Sequence, residues 1–276
     1  MNINSKFLLI GTSLSLIPAL TYAQCAVTDC LQLGYTSLKK CDNGLKCPFG
    51  EYWACPKVEE KAVLGQCTGY AKNCTIGDIL NSDGTCTTDN NKIPLGVVVA
   101  IKDNCGYAMT ASPIAINIKW STEYVSTGTF CSRRSELALG DFDVNGNMTK
   151  IIQYAENKHG DKAADYYPAV YVALNYAPSN ASATKGKWAL PSAGIFDSLY
   201  KNRNIINNTI SKLGGAQLTG DNIEHIWSSS EYDQEEVWVF CMSGGGCWNG
   251  VNNWYAKDLN GLFGSYNNVV RPVIEF

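Results

Sequence analysis

Twelve cysteines, two histidines and an asparagine-rich stretch with tryptophan and tyrosine near the C-terminus are the chemically suggestive residues of this 276-residue chain. His159 and His225 leave little scope for imidazole-based metal binding or proton transfer. Eight cysteines (Cys25, Cys30, Cys41, Cys47, Cys55, Cys67, Cys74, Cys86) crowd the first third, followed by Cys105, Cys131, Cys241 and Cys247. No two stand three apart, so the paired Cys-x-x-Cys spacing usual in zinc sites is missing. An even count, together with an N-terminal export signal, predicts disulfides. Cys241 and Cys247 flank Met242-Ser243-Gly244-Gly245-Gly246 and are expected to close a small loop.

That loop adjoins the sharpest binding candidate: Trp248, Asn249, Asn252, Asn253, Trp254, Tyr255, Tyr266, Asn267 and Asn268. Tryptophan and tyrosine offer large rigid contact area with a polar tip. The asparagine amide is both donor and acceptor, matching sugar hydroxyls or peptide backbone. Six of the chain's 25 asparagines fall within 249–268. Strand alternation across Val251 to Leu259 is expected to turn about half of these side chains inward. Asp141-x-Asp143-x-Asn145-Gly146 matches the first half of a calcium loop, but Ile152 stands where a bidentate glutamate is needed. The expectation is therefore an Asp/Asn turn leading into a helix capped by Asn147, with no cofactor. Glu231 has no partner carboxylate placed for glycoside hydrolysis. Gly244-Gly245-Gly246 lacks the lysine of a phosphate loop.

Composition fits a globular chain: 45% hydrophobic, 17% charged and a net charge of −3. It is too apolar for disorder and not basic enough to suggest nucleic-acid binding. Lys6 and the broken apolar stretch Phe7 to Leu20 read as a secretory signal cleaved after Ala23. A membrane-spanning helix would need about 20 unbroken apolar residues. The expectation is an exported protein (extracellular, cell-surface or periplasmic) with no transmembrane segment in the mature chain.

Residues 24–92, punctuated by Asp42-Asn43-Gly44, Pro48-Phe49-Gly50 and Ser82-Asp83-Gly84, read as a disulfide-stapled module with little core of its own. Residues 93–276 read as a second domain. Leu95 to Ile101 is a continuous apolar run and predicts a buried strand; Tyr107 to Trp120 mixes further strand-like pieces. Asn147–Asn157 and Asp161–Asn175 read as helical. Ser192 is expected to cap a helix to about Lys201. Asn204 is expected to cap another, with Ile205, Ile206, Ile210 and Leu213 inward and Gly214-Gly215 ending it. Val237–Met242, Trp254–Leu259 and Val269–Phe276 read as strands, so the class is α+β.

Trp188-Ala189-Leu190-Pro191-Ser192-Ala193, Trp227-Ser228-Ser229-Ser230-Glu231, Val237-Trp238 and Val270-Arg271-Pro272-Val273, in this order, resemble the Lcl C-terminal domain family, mostly uncharacterised secreted bacterial proteins. The best-marked match covers 186–276. The resemblance implies a C-type-lectin-like fold, related to the formylglycine-generating-enzyme group. It further implies that Trp188, Trp227, Trp238 and Arg271 are framework, and that the terminal strands pair. Members with known roles bind sugars or glycosaminoglycans. The Trp-Asn-Asp and Glu-Pro-Asn motifs of calcium-dependent sugar binding are not matched: Trp248-Asn249-Gly250 stands instead. The 241–268 composition also resembles the variable segment of diversity-generating-retroelement proteins, whose mutable asparagine codons sit on this fold. The reading is an exported, adhesin-like protein, not an enzyme. Its expected ligand is a glycan or protein on another cell, phage or matrix. The alternatives are an exported enzyme using a cysteine or Glu231, and a structural envelope protein without a discrete ligand.

Overall fold

The computed structural model describes residues 61–218, 224–241, 253–259 and 267–276, with the backbone of two short strands, β1 (Leu45–Lys46) and β2 (Trp53–Ala54). The chain forms two compact units, 1–60 and 61–276. Within the first, β1 and β2 pair antiparallel. The expected export signal and Cys25, Cys30, Cys41, Cys47 and Cys55 lie outside the described residues.

The second unit is α+β. Residues 61–92, grouped by sequence with the cysteine-rich module, supply β3 (Ile79–Asn81) and β4 (Cys86–Thr87). These extend the sheet of the expected apolar strand, β5 (Pro94–Lys102), because Ile79 pairs with Val97. A two-residue turn at Asp103 and Asn104, both left-handed, returns the chain as β6 (Cys105–Met109). Beyond it comes the short β7 (Ala115–Ile116). The run in β5 is continuous because both faces are buried. Val97 and Val99 enter the main core, while Leu95 and Val98 pack with Leu80, Ala108, Trp188, Ile274 and Phe276 on the other side.

Helices fill the middle of the chain: α1 (Ser135–Ala138), α2 (Val144–His159), α3 (Ala163–Tyr166) and α4 (Pro168–Asn175). The cap of α2 is Asp143, whose carboxylate accepts from Gly146 N at 3.0 Å, not Asn147 as expected. Asn147 lies one turn inside the helix and is buried, donating to Asp141 Oδ2 and accepting from Phe130 N. At the far end, Glu123 accepts from Lys158, His159 and Tyr167. Partial burial pushes its pKa up, but these bonds outweigh it and hold the carboxyl at about 2.

β8 (Trp188–Ala189) leads to α5 (Gly194–Lys201) and α6 (Arg203–Lys212), which pack on β5. The caps again shift slightly: Ala193 precedes α5 and Asn202 precedes α6. Ser192 is buried, and its carbonyl accepts from Ile195 N. A Cβ on Gly194 would collide with the Asp141 carbonyl, so that close approach requires glycine. Ile206 and Ile210 are buried as expected, but Ile205 is 49% exposed: adjacent helical positions diverge by about 100°. Gly214, at φ 68°, ends the helix in the left-handed conformation.

The remaining strands are β9 (Glu224–Glu231), β10 (Glu236–Cys241), β11 (Asn253–Ala256), β12 (Asn267–Val270) and β13 (Val273–Glu275). Two sheets result, ordered β4-β3-β5-β6-β13-β8 and β11-β10-β9-β12-β7. Neighbours are antiparallel except β12 beside β9. The expected single strand Val269–Phe276 is two, because Arg271-Pro272 carries the chain from one sheet to the other. Proline has no N–H for a ladder. The buried Arg271 guanidinium donates to the carbonyls of Thr110, Ala111 and Ala216 and lies 3.7 Å from Glu224, pinning that corner.

Two disulfides staple the unit, Cys67–Cys105 and Cys74–Cys86, and Cys241 is also disulfide-bonded. Cys247 lies outside the described residues. Cys131 corrects the expectation of wholly paired cysteines: it is an exposed free thiol. Its nearest cysteine in sequence, Cys105, is bonded to Cys67. Among the described residues no helix is long and apolar enough to cross a membrane.

Candidate functional site

The motifs that carry the resemblance meet in the interior. Ser229 N donates to Pro191 O at 2.8 Å, and Ala193 N to Ser230 Oγ at 2.9 Å. Ser230 Oγ in turn donates to Asp141 Oδ2 at 2.5 Å. Trp120, Trp188, Trp227 and Trp238 are all buried. Their indole N–H groups donate to Ser228 O, Thr184 Oγ1, Ile118 O and Ser132 O. Burying tryptophan this deeply requires a partner for that donor. The calcium-loop candidates have other work: Asp141 accepts from Ser230, Asn147 and Asp143 N, Asp143 caps α2, and Asn145 donates to Gly65 O and Glu275.

Beside this frame lies an aromatic shelf. Trp238 on β10 faces Trp254 on the outermost strand β11 as a cross-strand pair. Their rings meet edge-on, with centroids 6.1 Å apart. Tyr232, in the β9–β10 turn, stacks on Trp254 at 4.5 Å and 9° and meets Trp238 edge-on at 5.1 Å. Such contacts add about 0.5–1.5 kcal/mol each beyond burial. The Arg133 guanidinium lies 5.8 Å from the Tyr232 ring centroid and pairs with Asp233 at 2.7 Å. Tyr232 and Trp254 are half-buried, while the Arg133 side chain is 71% exposed.

Under the shelf is a wholly buried ion pair. Glu231 Oε1 and Lys257 Nζ are 2.7 Å apart, and neither side chain is exposed. Glu231 also accepts from Ser126 Oγ, Thr127 N and Thr127 Oγ1. Lys257 donates to Val125 O and lies 5.0 Å from the Trp120 ring centroid. Burial pushes the Lys257 pKa down, opposed by Glu231. Cys131 bridges to Glu231 through the backbone, and its thiol is directed at Tyr232 O. Burial and the Glu231 charge push its pKa up, which disfavours the thiolate.

Of the nine binding candidates, Trp248, Asn249, Asn252 and Tyr266 lie outside the described residues, as does the side chain of Asn253. Trp254 joins the shelf. Tyr255, next along the strand, turns to the other face and packs at 4.3 Å on His225. Asn267 is exposed, and Asn268 is buried with its amide on Leu259 O at 2.9 Å. Tyr232, Arg133 and Lys257 escaped the sequence reading. Lys257 carried a signal: it is the only lysine after Lys212, set among asparagine, glycine and aromatics.

His225 is fully buried on β9. Burial lowers its pKa from 6.5 to about 4, opposed by a hydrogen bond with Asn268. The unfolded chain therefore binds this proton first. Its contribution is complete above pH 6.5 and is lost as pH falls towards 4, amounting to about 3 kcal/mol at most. Urea titrations from pH 7 to 4 should show a shallower stability loss in His225→Asn than in the parent; parallel profiles would remove His225 as the cause.

Among the described residues, one grouping of three metal-capable side chains occurs, Cys67, Cys105 and Glu275, and its sulfurs are joined in the disulfide. Compared with protein-family models, with curated proteins and with solved structures, the chain matches none.

Proposed function

We propose that this is an exported ligand-binding protein whose 61–276 unit is a C-type-lectin-like recognition domain of the Lcl C-terminal type. Its ligand is a glycan or protein presented on another cell, phage or matrix. The observation that carries this reading is the Tyr232–Trp254 stack on the outermost strand of a sheet, rimmed by the Arg133–Asp233 pair. Stacked rings offer a flat, weakly hydrated surface to the C–H face of a sugar or to an apolar side chain, and the charged rim supplies directional bonds. Glu231 is saturated by four donors from Ser126, Thr127 and Lys257, and burial disfavours the Cys131 thiolate, so neither favours the enzyme reading.

The test is binding to glycan and protein arrays by the parent and by Trp254→Ala and Tyr232→Ala. A ligand found with the parent should bind each variant roughly tenfold or more weakly, while near-ultraviolet circular dichroism of the remaining core persists. Equal binding by folded variants would remove the shelf as the site.

A further inference from the structure

The binding reading assigns no role to the buried Glu231–Lys257 ion pair. Lys257 directly follows β11, and four tethers converge on it. Its backbone N–H donates to Glu235 O in the β9–β10 turn, and its carbonyl accepts from Ser121 N. Its ammonium donates to Val125 O and to Glu231. Glu231 ends β9, two strands inward from β11. The pair thus reaches past β10 and fixes the outermost strand to the central one. Among the described residues, β11 pairs with β10 from Glu236↔Ala256 to Val239↔Asn253.

An outermost strand has its register held by a ladder on one side only. Slipping by one residue turns every side chain to the opposite face. Trp254 would then leave Tyr232, and Tyr255 would take its place. The same slip would carry Lys257 away from Glu231 and leave a carboxylate without its counter-charge in the interior, which is strongly disfavoured. Packing alone does not discriminate as well, because two adjacent large aromatic residues could each fill the space.

We propose that Lys257 and Glu231 are positioning residues that lock the register of β11, so that Trp254 rather than Tyr255 is presented on the shelf. This rests on the shelf being the ligand site, but the lock itself is measurable without a ligand. The pair contributes specificity of arrangement: apolar replacements of similar size leave the fold intact while releasing the strand.

The experiment is hydrogen exchange of the full chain, with the parent compared with the double variant Glu231→Leu/Lys257→Met. The expected result is exchange at 253–256 faster by roughly tenfold or more, with β5 unchanged, and loss of the exciton signal of the Tyr232–Trp254 stack. Parent-like exchange and exciton signal in the folded double variant would overturn the proposal. Should that variant not fold, Ser126→Ala/Thr127→Val, which loosens the carboxylate cage without removing a charge, should give a smaller acceleration confined to 253–256. Acceleration spread evenly over β5 and β11, or none, would overturn it. Loss of array binding in Trp254→Ala with an unchanged strand in the pair variants would sink the lock and keep the ligand site. A released strand with undiminished array binding in Trp254→Ala would do the reverse.

Discussion

Lys257→Met destabilises the folded protein by about 3–5 kcal/mol, and adding Glu231→Leu restores most of the loss. The parent pair is shielded from water on both sides, at 2.7 Å. Two desolvated charges roughly balance their cost when they meet each other and their remaining hydrogen bonds are made. Removing only the ammonium leaves the Glu231 carboxylate buried among Ser126 and Thr127, whose donors cannot neutralise it. Methionine keeps an apolar stem of similar length and loses only the ammonium that lies over the Trp120 ring, so the effect is one of charge more than of volume. Urea unfolding of both variants measures it. A single variant as stable as the parent, or a double variant as unstable as the single, would show that the pair is not energetically coupled.

Cys67→Ser/Cys105→Ser lowers stability by about 4 kcal/mol, from the chain-entropy cost of a 38-residue closed loop. That disulfide joins the 61–70 segment to the start of β6, beside the β5–β6 turn. The equivalent change at Cys74 and Cys86, separated by 12 residues, costs less, about 3 kcal/mol. Guanidinium unfolding of the two variants should rank them in that order. A loss of under about 1 kcal/mol for the longer loop would mean that the denatured chain is already compact there.

Both predictions bear on how a small recognition surface is kept in one arrangement. The sheet carrying the shelf is joined to the rest by the Arg271-Pro272 crossing, by the serines of 228–230 and by Lys257. None of these is on the shelf, yet each fixes where its residues point.

The fold class and much of the frame are legible in the residues alone. The apolar run Leu95–Ile101 can satisfy its burial only as a strand covered on both faces. The spacing of Ile206 and Ile210, ended by Gly214, specifies a helix with one inner face. Tryptophans 188, 227 and 238 are too large and apolar to leave the core once the indole N–H has a partner. The strand and the helix are local constraints read from periodicity, while the framework role of the tryptophans is what the resemblance implies. Tertiary structure alone decided what lies between distant segments. Cys105 is closer in sequence to Cys131 than to Cys67, yet the strand pairing brings Cys67 to it and leaves Cys131 free. Trp254 and Tyr255 look equivalent in sequence, but β-strand alternation sends them to opposite faces, one to Tyr232 and one to His225. Glu231 and Lys257, 26 residues apart, become partners only because β10 separates their strands by a fixed distance. Ion pairs and aromatic stacks formed across a sheet depend on register, and register is a property of the assembled sheet rather than of any single strand.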